Sequence, residues 1–391
     1  MVTNLFFPLK GGSEHVVYEI SRRLVKRGYE VHILTEKTKS HWPLYECIEG
    51  IHIHRCPVHF AISPIRFVSG VLNAAKLFRT LNESHSFELL HFHLTLSSVG
   101  VLLCQSSRHP ARISSFYGPW HQEELVEKKI LRRLHPGRIK AFLFHRLQRF
   151  VLNHSEKIIV LSRFSQLSLS KLFGTSLTSE LIPGAADLAR FLPTGDRRQV
   201  RARLGLPVAG KVLLTIRRLV PRMGIDALIA AMPRILKVHA GTILVVGGTG
   251  ALRETLEKQA IDLGVSSQVL FTGYIPDEEL PLYYQAADLF VLPTRALEGF
   301  GLCTVESLAC GTPVAGTAVG ATAEIITDLD DRFLIPESTS ESIANTVLTC
   351  IDTACEEAFR GRCRRYAEEH YDWDRVVDSL EQVYRSVCDA P

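Results

Sequence analysis

The alternation of short apolar runs with helical stretches is what most constrains how this chain folds. Residues 211–216 (KVLLTI), 242–248 (TILVVGG), 268–273 (QVLFTG) and 288–293 (DLFVLP) are nearly continuous apolar runs, as strands buried on both faces are. Parallel strands need long crossovers, and helical stretches separate most of these runs. The first half repeats the pattern. Residues 2–7 (VTNLFF), 30–35 (EVHILT), 88–93 (ELLHFH), 111–117 (ARISSFY) and 157–162 (KIIVLS) read as strands, and residues 14–27 as an amphipathic helix ending at Gly28. A chain of 391 residues, 46% hydrophobic and 22% charged, is long enough to bury two cores. The expected class is α/β, with helix-covered parallel sheets in two Rossmann-like domains. Residues 184–198 carry Pro, Gly and Asp without periodicity and read as the linker between domains 1–183 and 199–370. A last helix within 371–391 places Val376, Leu380, Val383 and Val387 at helical spacing.

Several function classes recede on composition. No apolar run is long enough for a membrane-spanning helix, and the first residues lack the basic and apolar regions of a signal peptide. The nine cysteines are scattered without a CxxC pair, which suits a reducing cytoplasm, with Cys303 and Cys310 packed as small apolar residues. A net charge of +4 does not argue for nucleic acid. Ile51, His52, Ile53 and His54 alternate as in a strand with one solvent-facing side, a reading preferred to a metal site, and no metal is expected. Lys128, Lys129, Arg132, Arg133, Arg138, Lys140, Arg146 and Arg149 interleave with apolar residues on two short helices split by His135-Pro136-Gly137. Such helices either lie on an anionic membrane surface or form a solvated basic face over an ordinary core stripe.

The segment from Pro293 to Pro313, PTRALEGFGLCTVESLACGTP, carries the chemistry. A strand ends in a loop, Glu298 opens a glycine-rich turn, and a helix carrying Glu306 follows. Gly299 and Gly301 let backbone approach a ligand, and the helix start offers unpaired N–H groups to a phosphate or diphosphate. Two carboxylates eight positions apart flank that anion site at the carboxyl end of a strand, where open α/β sheets bind ligands.

This segment, with GTPV and VG..AEII after it, resembles the Glu-x7-Glu signature of retaining GT-B glycosyltransferases of the family-four group (glycosyl transferases group 1). The resemblance covers essentially the whole chain, most specifically residues 184–324. It implies two Rossmann-like domains facing across a deep cleft, the first binding the acceptor and the second a nucleotide-sugar, with the last helix crossing back to the first domain. It also implies transfer of a sugar to a glycan, lipid-linked or small-molecule hydroxyl with retained configuration and no metal or cofactor, the nucleotide-sugar being a substrate. Such an enzyme is expected in the cytoplasm, with peripheral attachment to the inner membrane face left open. Glu298 is then expected to face the donor sugar and Glu306 the ribose. Amides of Gly299, Phe300, Gly301, Leu302 and Cys303 would hold sugar and phosphate, Gly248 would face the nucleotide, and Tyr274 and Ile275 would lie nearest the base. Gly11 and Gly12 match the loop of the first domain that approaches the donor.

The sequence departs from the family at two places. Within TIRRLVPRMG, Arg218 aligns with the arginine that neutralises the diphosphate, but Arg217 replaces a glycine and Met223 stands where a lysine is usual. Arg217 or Arg222 compensates, the donor differs, or the protein binds sugar or a partner without efficient turnover. Tyr117 stands where relatives commonly have a histidine. Tyr117 is expected beside the reacting centre, with Trp120 and His121 touching the sugar or acceptor. Relatives also begin a few residues before the segment matching VTNLFF, so the central strand is expected to lack its start. A dinucleotide-dependent oxidoreductase is disfavoured, since no GxGxxG follows the first strand.

Overall fold

In the computed structural model, which describes residues 1–9, 11–58, 63–104, 110–127, 136–174 and 177–389, the chain forms two compact units. One comprises Met1–Gly184 with Trp373–Pro391, the other Ala185–Asp372. The helix Trp373–Cys388 therefore belongs to the first unit, and the stretch expected as a linker belongs to the second from Ala185 onward.

The first unit holds β1 (Val31–Lys37), β2 (Tyr45–Ile48), β3 (Ile51–Pro57), β4 (Leu89–Phe92), β5 (Ala111–Phe116), β6 (Lys157–Val160) and β7 (Ser179–Leu181). They run in the orders β1-β3-β2 and β4-β5-β6-β7, parallel except for β2. Residues 2–7 do not form the expected strand. Only Val2 bridges, on one side to Leu34 of β1 and on the other to Phe92 of β4, and so joins the two sheets edge to edge. Apolar residues of those strands, with Phe78, Val99 and Val151 from the helices, make a core beneath the bridge. The helix Trp373–Cys388 docks on the helix Gly12–Lys26 through Arg27, whose Nη1 lies 2.6 Å from Asp378 and 3.0 Å from Glu381. β3 is not the one-sided strand expected. His54 is buried and His52 half-buried, because rings from neighbouring elements stack on them.

The second unit holds β8 (Val212–Ile216), β9 (Ile243–Gly247), β10 (Val269–Gly273), β11 (Leu289–Leu292), β12 (Val314–Thr317) and β13 (Leu334–Ile335). All pair in parallel, in the order β10-β9-β8-β11-β12-β13. Counted within this unit the order is 3-2-1-4-5-6, that of a dinucleotide-binding fold. The four apolar runs singled out in the sequence are β8 to β11. Of these, β8, β9 and β11 are interior and buried, whereas β10 lies at the sheet edge and is only partly buried, not covered on both faces as expected. Asp288 locks their amino ends: its carboxylate accepts from Val212 N at 2.7 Å, from Arg201 Nη2 at 2.7 Å and from Arg197 Nη1 at 2.8 Å. That buried carboxylate is structural.

Candidate active site

Chain order reverses between β8 and β11, so a crevice opens at their carboxyl ends. Arg217 and Arg218 leave β8 into it, and the loop from Pro293 to Gly301 leaves β11. The Arg217 guanidinium pairs with the Glu298 carboxylate, donates to Thr294 Oγ1 at 3.3 Å and reaches Cys303 Sγ at 3.1 Å. Both charged side chains are nearly buried, 9% and 12% exposed, so losing either partner would strand a charge at a cost of about 3–5 kcal/mol. Burial raises the Cys303 thiol pKa, with Arg217 opposing, so this cysteine sits beside a cation rather than packing as a plain apolar residue. Cys310 is buried as expected.

The helix Leu302–Ala309 starts at Gly301, whose φ of 81° is left-handed and whose position leaves the helix without a side-chain cap. The amides at its first turn, including those of Leu302 and Cys303, are thus presented to the crevice end of the loop. Two buried atoms there, Arg217 Nε and Thr304 Oγ1, have no partner within the protein among the described residues. Polar atoms of this kind are costly to bury unsatisfied, about 1–3 kcal/mol each. Glu306, eight residues after Glu298, is buried and accepts from the hydroxyl of buried Tyr284 at 3.0 Å. Burial and the Glu306 carboxylate push the Tyr284 pKa far up, so that hydroxyl stays a donor.

The other expected residues fall into two groups. Arg218 is exposed, and Arg222 Nη1 holds the loop by donating to Leu297 O at 3.1 Å. Arg217, not Arg218, is therefore the arginine brought to Glu298. Met223 is buried in the turn Pro221–Met223 and packs as core. Gly248 is required by a close approach of backbone: a Cβ there would lie 2.0 Å from Arg217 O. Ile275 is buried against Gly247, whereas Tyr274 is 61% exposed and presents an aromatic face. Phe300 is buried beside Tyr371, ring centroids 5.9 Å apart, so its amide rather than its ring is left for a ligand. Gly320 was not anticipated. A Cβ on it would lie 1.8 Å from Glu298 O, so this glycine lets the Glu298 backbone pack down; the VG of VG..AEII was its signal.

In the first unit, Gly11 caps the helix Gly12–Lys26, and space for a Cβ is open at Gly12 but filled by the Glu14 carboxylate at Gly11. A cavity of about 1070 Å³ is lined by Asn4, His93, Tyr117, Trp120, Leu143 and Phe144 among others. The Tyr117 hydroxyl lies 2.7 Å from His93 Nδ1, and His93 Nε2 is buried without a partner among the described residues. Burial, with His91 adding, depresses the His93 pKa, so the ring is neutral. His93 was missed because it reads as the last residue of an apolar strand. Trp120 stacks on Phe144 at 3.7 Å between centroids, which covers one of its faces. His121 does not join this cavity: it faces His145 and Phe173 edge-on, with its pKa lowered to about 4 by burial and by His145. Of the two basic helices, Lys128, Lys129, Arg132 and Arg133 lie outside the described residues. The second, Pro136–Asn153, exposes Arg138, Arg146 and Arg149 together with Ile139, Phe142 and Leu143.

Residues 196–370 match the family model of glycosyl transferases group 1, and residues 10–190 that of glycosyltransferase family 4. A D-inositol 3-phosphate glycosyltransferase of Nocardiopsis dassonvillei is 30% identical over 97% of this chain and 90% of its own length. The chain belongs to the group 1 glycosyltransferases. A second relative within this family is the GDP-mannose-dependent alpha-(1-6)-phosphatidylinositol monomannoside mannosyltransferase of Mycolicibacterium smegmatis. It is 33% identical over 56% of this chain and 60% of its own length, so that match spans less than two thirds of that protein. The sucrose-phosphate synthase of Thermosynechococcus elongatus superposes with a TM-score of 0.84 at 23% identity, covering 97% of this chain and 94% of that one. Anabaena HepE in complex with UDP and glucose superposes with a TM-score of 0.77 at 18% identity, covering 98% of each. The architecture of this glycosyltransferase is thus GT-B, two Rossmann-like domains.

Proposed function

We propose that this glycosyltransferase moves a sugar from a nucleotide-diphosphate donor to a hydroxyl of an amphiphilic acceptor, with retention and without a metal. One observation carries the donor reading: Arg217, Glu298 and an uncapped helix start meet at the switch point of the second sheet. Backbone amides and Arg217 take the diphosphate, Glu306 takes the ribose hydroxyls, and exposed Tyr274 offers a face to the base. In the transfer the anomeric C–O bond to the diphosphate breaks and its electron pair leaves with the phosphate. The acceptor oxygen bonds the same face, and its proton passes to the departing phosphate oxygen. Fixed dipoles and a guanidinium suit a leaving group whose charge grows in the transition state. Names of relatives support a nucleotide-sugar and a phosphorylated or lipid-borne acceptor.

The acceptor reading rests on the cavity of the first unit. Its polar end holds His93 and Tyr117, and its apolar wall includes Ile139 and Leu143, which are also exposed on the basic helix. A sugar-bearing headgroup fits the first and an acyl or isoprenoid chain the second. That helix then rests on an anionic cytoplasmic membrane face, its arginines among headgroups. Among the described residues, no helix is long and apolar enough to cross a membrane. Replacing Phe142, 66% exposed, by Glu is expected to abolish co-sedimentation with phosphatidylglycerol vesicles without changing nucleotide binding.

A thermal-shift panel of UDP, GDP, ADP and dTDP tests the donor site. One nucleotide is expected to stabilise the protein by about 2.7 kcal/mol at a hundredfold excess over its Kd, and Glu306→Ala to remove the effect. No stabilisation by any of them would sink the donor assignment. A second reading, sugar binding without efficient turnover, is favoured by buried Met223 and by the engagement of Arg217 with Glu298. Sugar release from the stabilising donor that disappears in Glu306→Ala excludes it.

A further inference from the structure

We propose that Glu30, His32 and His85 form a Zn²⁺ site on the first unit, separate from the residues assigned to sugar transfer. Glu30 Oε1 lies 2.8 Å from His32 Nε2 and 3.4 Å from His85 Nδ1, and one ligand atom from each residue lies within 4.8 Å of the others. Around a tetrahedral zinc with bonds of about 2.0–2.2 Å, ligand atoms stand roughly 3.4 Å apart. The cluster reaches that geometry by small movements of its two outer members. The Glu30 side chain is 64% exposed and that of His85 36%, while His32 is buried and fixed on β1. Two imidazoles and one carboxylate are a donor set that suits Zn²⁺, and the exposure of Glu30 leaves a fourth position open to water.

Other histidines of the patch support the buried ligand. His32 Nδ1 lies 3.0 Å from His54 Nε2, and His52 stacks on the His32 ring at 4.7 Å between centroids. A zinc-bound imidazole donates its second N–H to an outer group, which fixes its tautomer. Metal-free, His32 Nε2–H donates to Glu30 and Nδ1 accepts from His54 Nε2–H. With zinc on Nε2, the His32 proton sits on Nδ1 and is donated to His54 Nε2, and the His54 proton moves to its own Nδ1. Each ring keeps one proton, so the exchange is neutral. One Glu30 oxygen already lies within reach of nitrogens from two elements, His32 Nε2 on β1 and His85 Nδ1 at the helix end. The ligands come from the residue before β1, from β1 itself and from the end of the helix Ser63–His85, so an ion here ties that helix end to the sheet.

The full-length protein, treated with chelator and dialysed, is titrated with Zn²⁺ by calorimetry and with Co²⁺ by absorption spectroscopy. The expected result is one ion per chain, with Co²⁺ visible bands of a nitrogen and oxygen site and no thiolate charge transfer. Glu30→Gln and His85→Ala, both at exposed positions, are each expected to weaken binding at least tenfold with an unchanged far-ultraviolet spectrum. His54→Ala, which removes only the outer partner, is expected to weaken it by about 10- to 100-fold. Thiolate bands would place the ion on cysteines and overturn the proposal. So would affinity unchanged in Glu30→Gln and His85→Ala, or no binding of Zn²⁺ at micromolar concentration.

Discussion

Two glutamates eight residues apart are held by different means, and the difference is chemical. Glu298 meets a guanidinium, which anchors it beside Arg217 at the crevice. Glu306 meets a phenol, which donates one hydrogen bond and so orients the carboxylate. Tyr284→Phe deletes that bond without changing shape. It is expected to lower stability by about 1–3 kcal/mol in urea unfolding and to weaken nucleotide binding in calorimetry, since Glu306 loses its orientation. The sequence motif identified both carboxylates, but neither Arg217 nor Tyr284 as their partners. Arg217 replaces a glycine of the family pattern, and Tyr284 lies on a different helix, adjacent only after folding.

At the scale of elements, the donor-side loop is positioned by backbone fitting into backbone. Gly320 precedes the helix Ala321–Asp330 and lies against the carbonyl of Glu298. Gly320→Ala is expected to push the Glu298 loop outward, because neither the carbonyl nor the helix end is a flexible side chain. Such overpacking costs about 1–3 kcal/mol of stability. The displacement is also expected to lower the rate of sugar transfer by about a hundredfold, the scale for a shift of about 1 Å in a reactive site. Denaturation midpoints and initial rates on the same preparation separate the two effects. Wild-type rates in this variant would mean that Glu298 does not need its observed position.

At the scale of the whole molecule, the buried histidines of the first unit set its response to acid. His91, between Tyr384 and Ser115 at 2.7 and 2.8 Å, has its pKa lowered from 6.5 to about 3, chiefly by burial. His121 is lowered to about 4 by burial and by His145. In both, the folded value lies below the unfolded one, so the unfolded chain binds protons first as pH falls. Their stabilising contribution is complete above pH 6.5 and is lost as pH drops through about 4 toward 3. Hydrogen exchange is expected to show amides of β4 and β5 losing protection across this window before those of β8 and β9. Equal loss in both units would contradict it.

The sequence by itself determined the class, four of the strands in the second unit and the identity of its two glutamates. Apolar runs, helix spacing and glycine-rich turns are local properties, written in consecutive residues. Folding decided the rest, because it depends on which distant segments meet. Only the sheet order makes β8 and β11 neighbours, and so puts Arg217 rather than Arg218 on Glu298. Only the packing turns His121 away from Tyr117 and brings His93 to it. The histidines of β3, which look like one face of a strand, gather with Glu30, His32 and His85 because a helix end and a parallel strand converge there. Periodicity fixes which residues are buried or exposed along an element, and tertiary contact fixes what each of them touches.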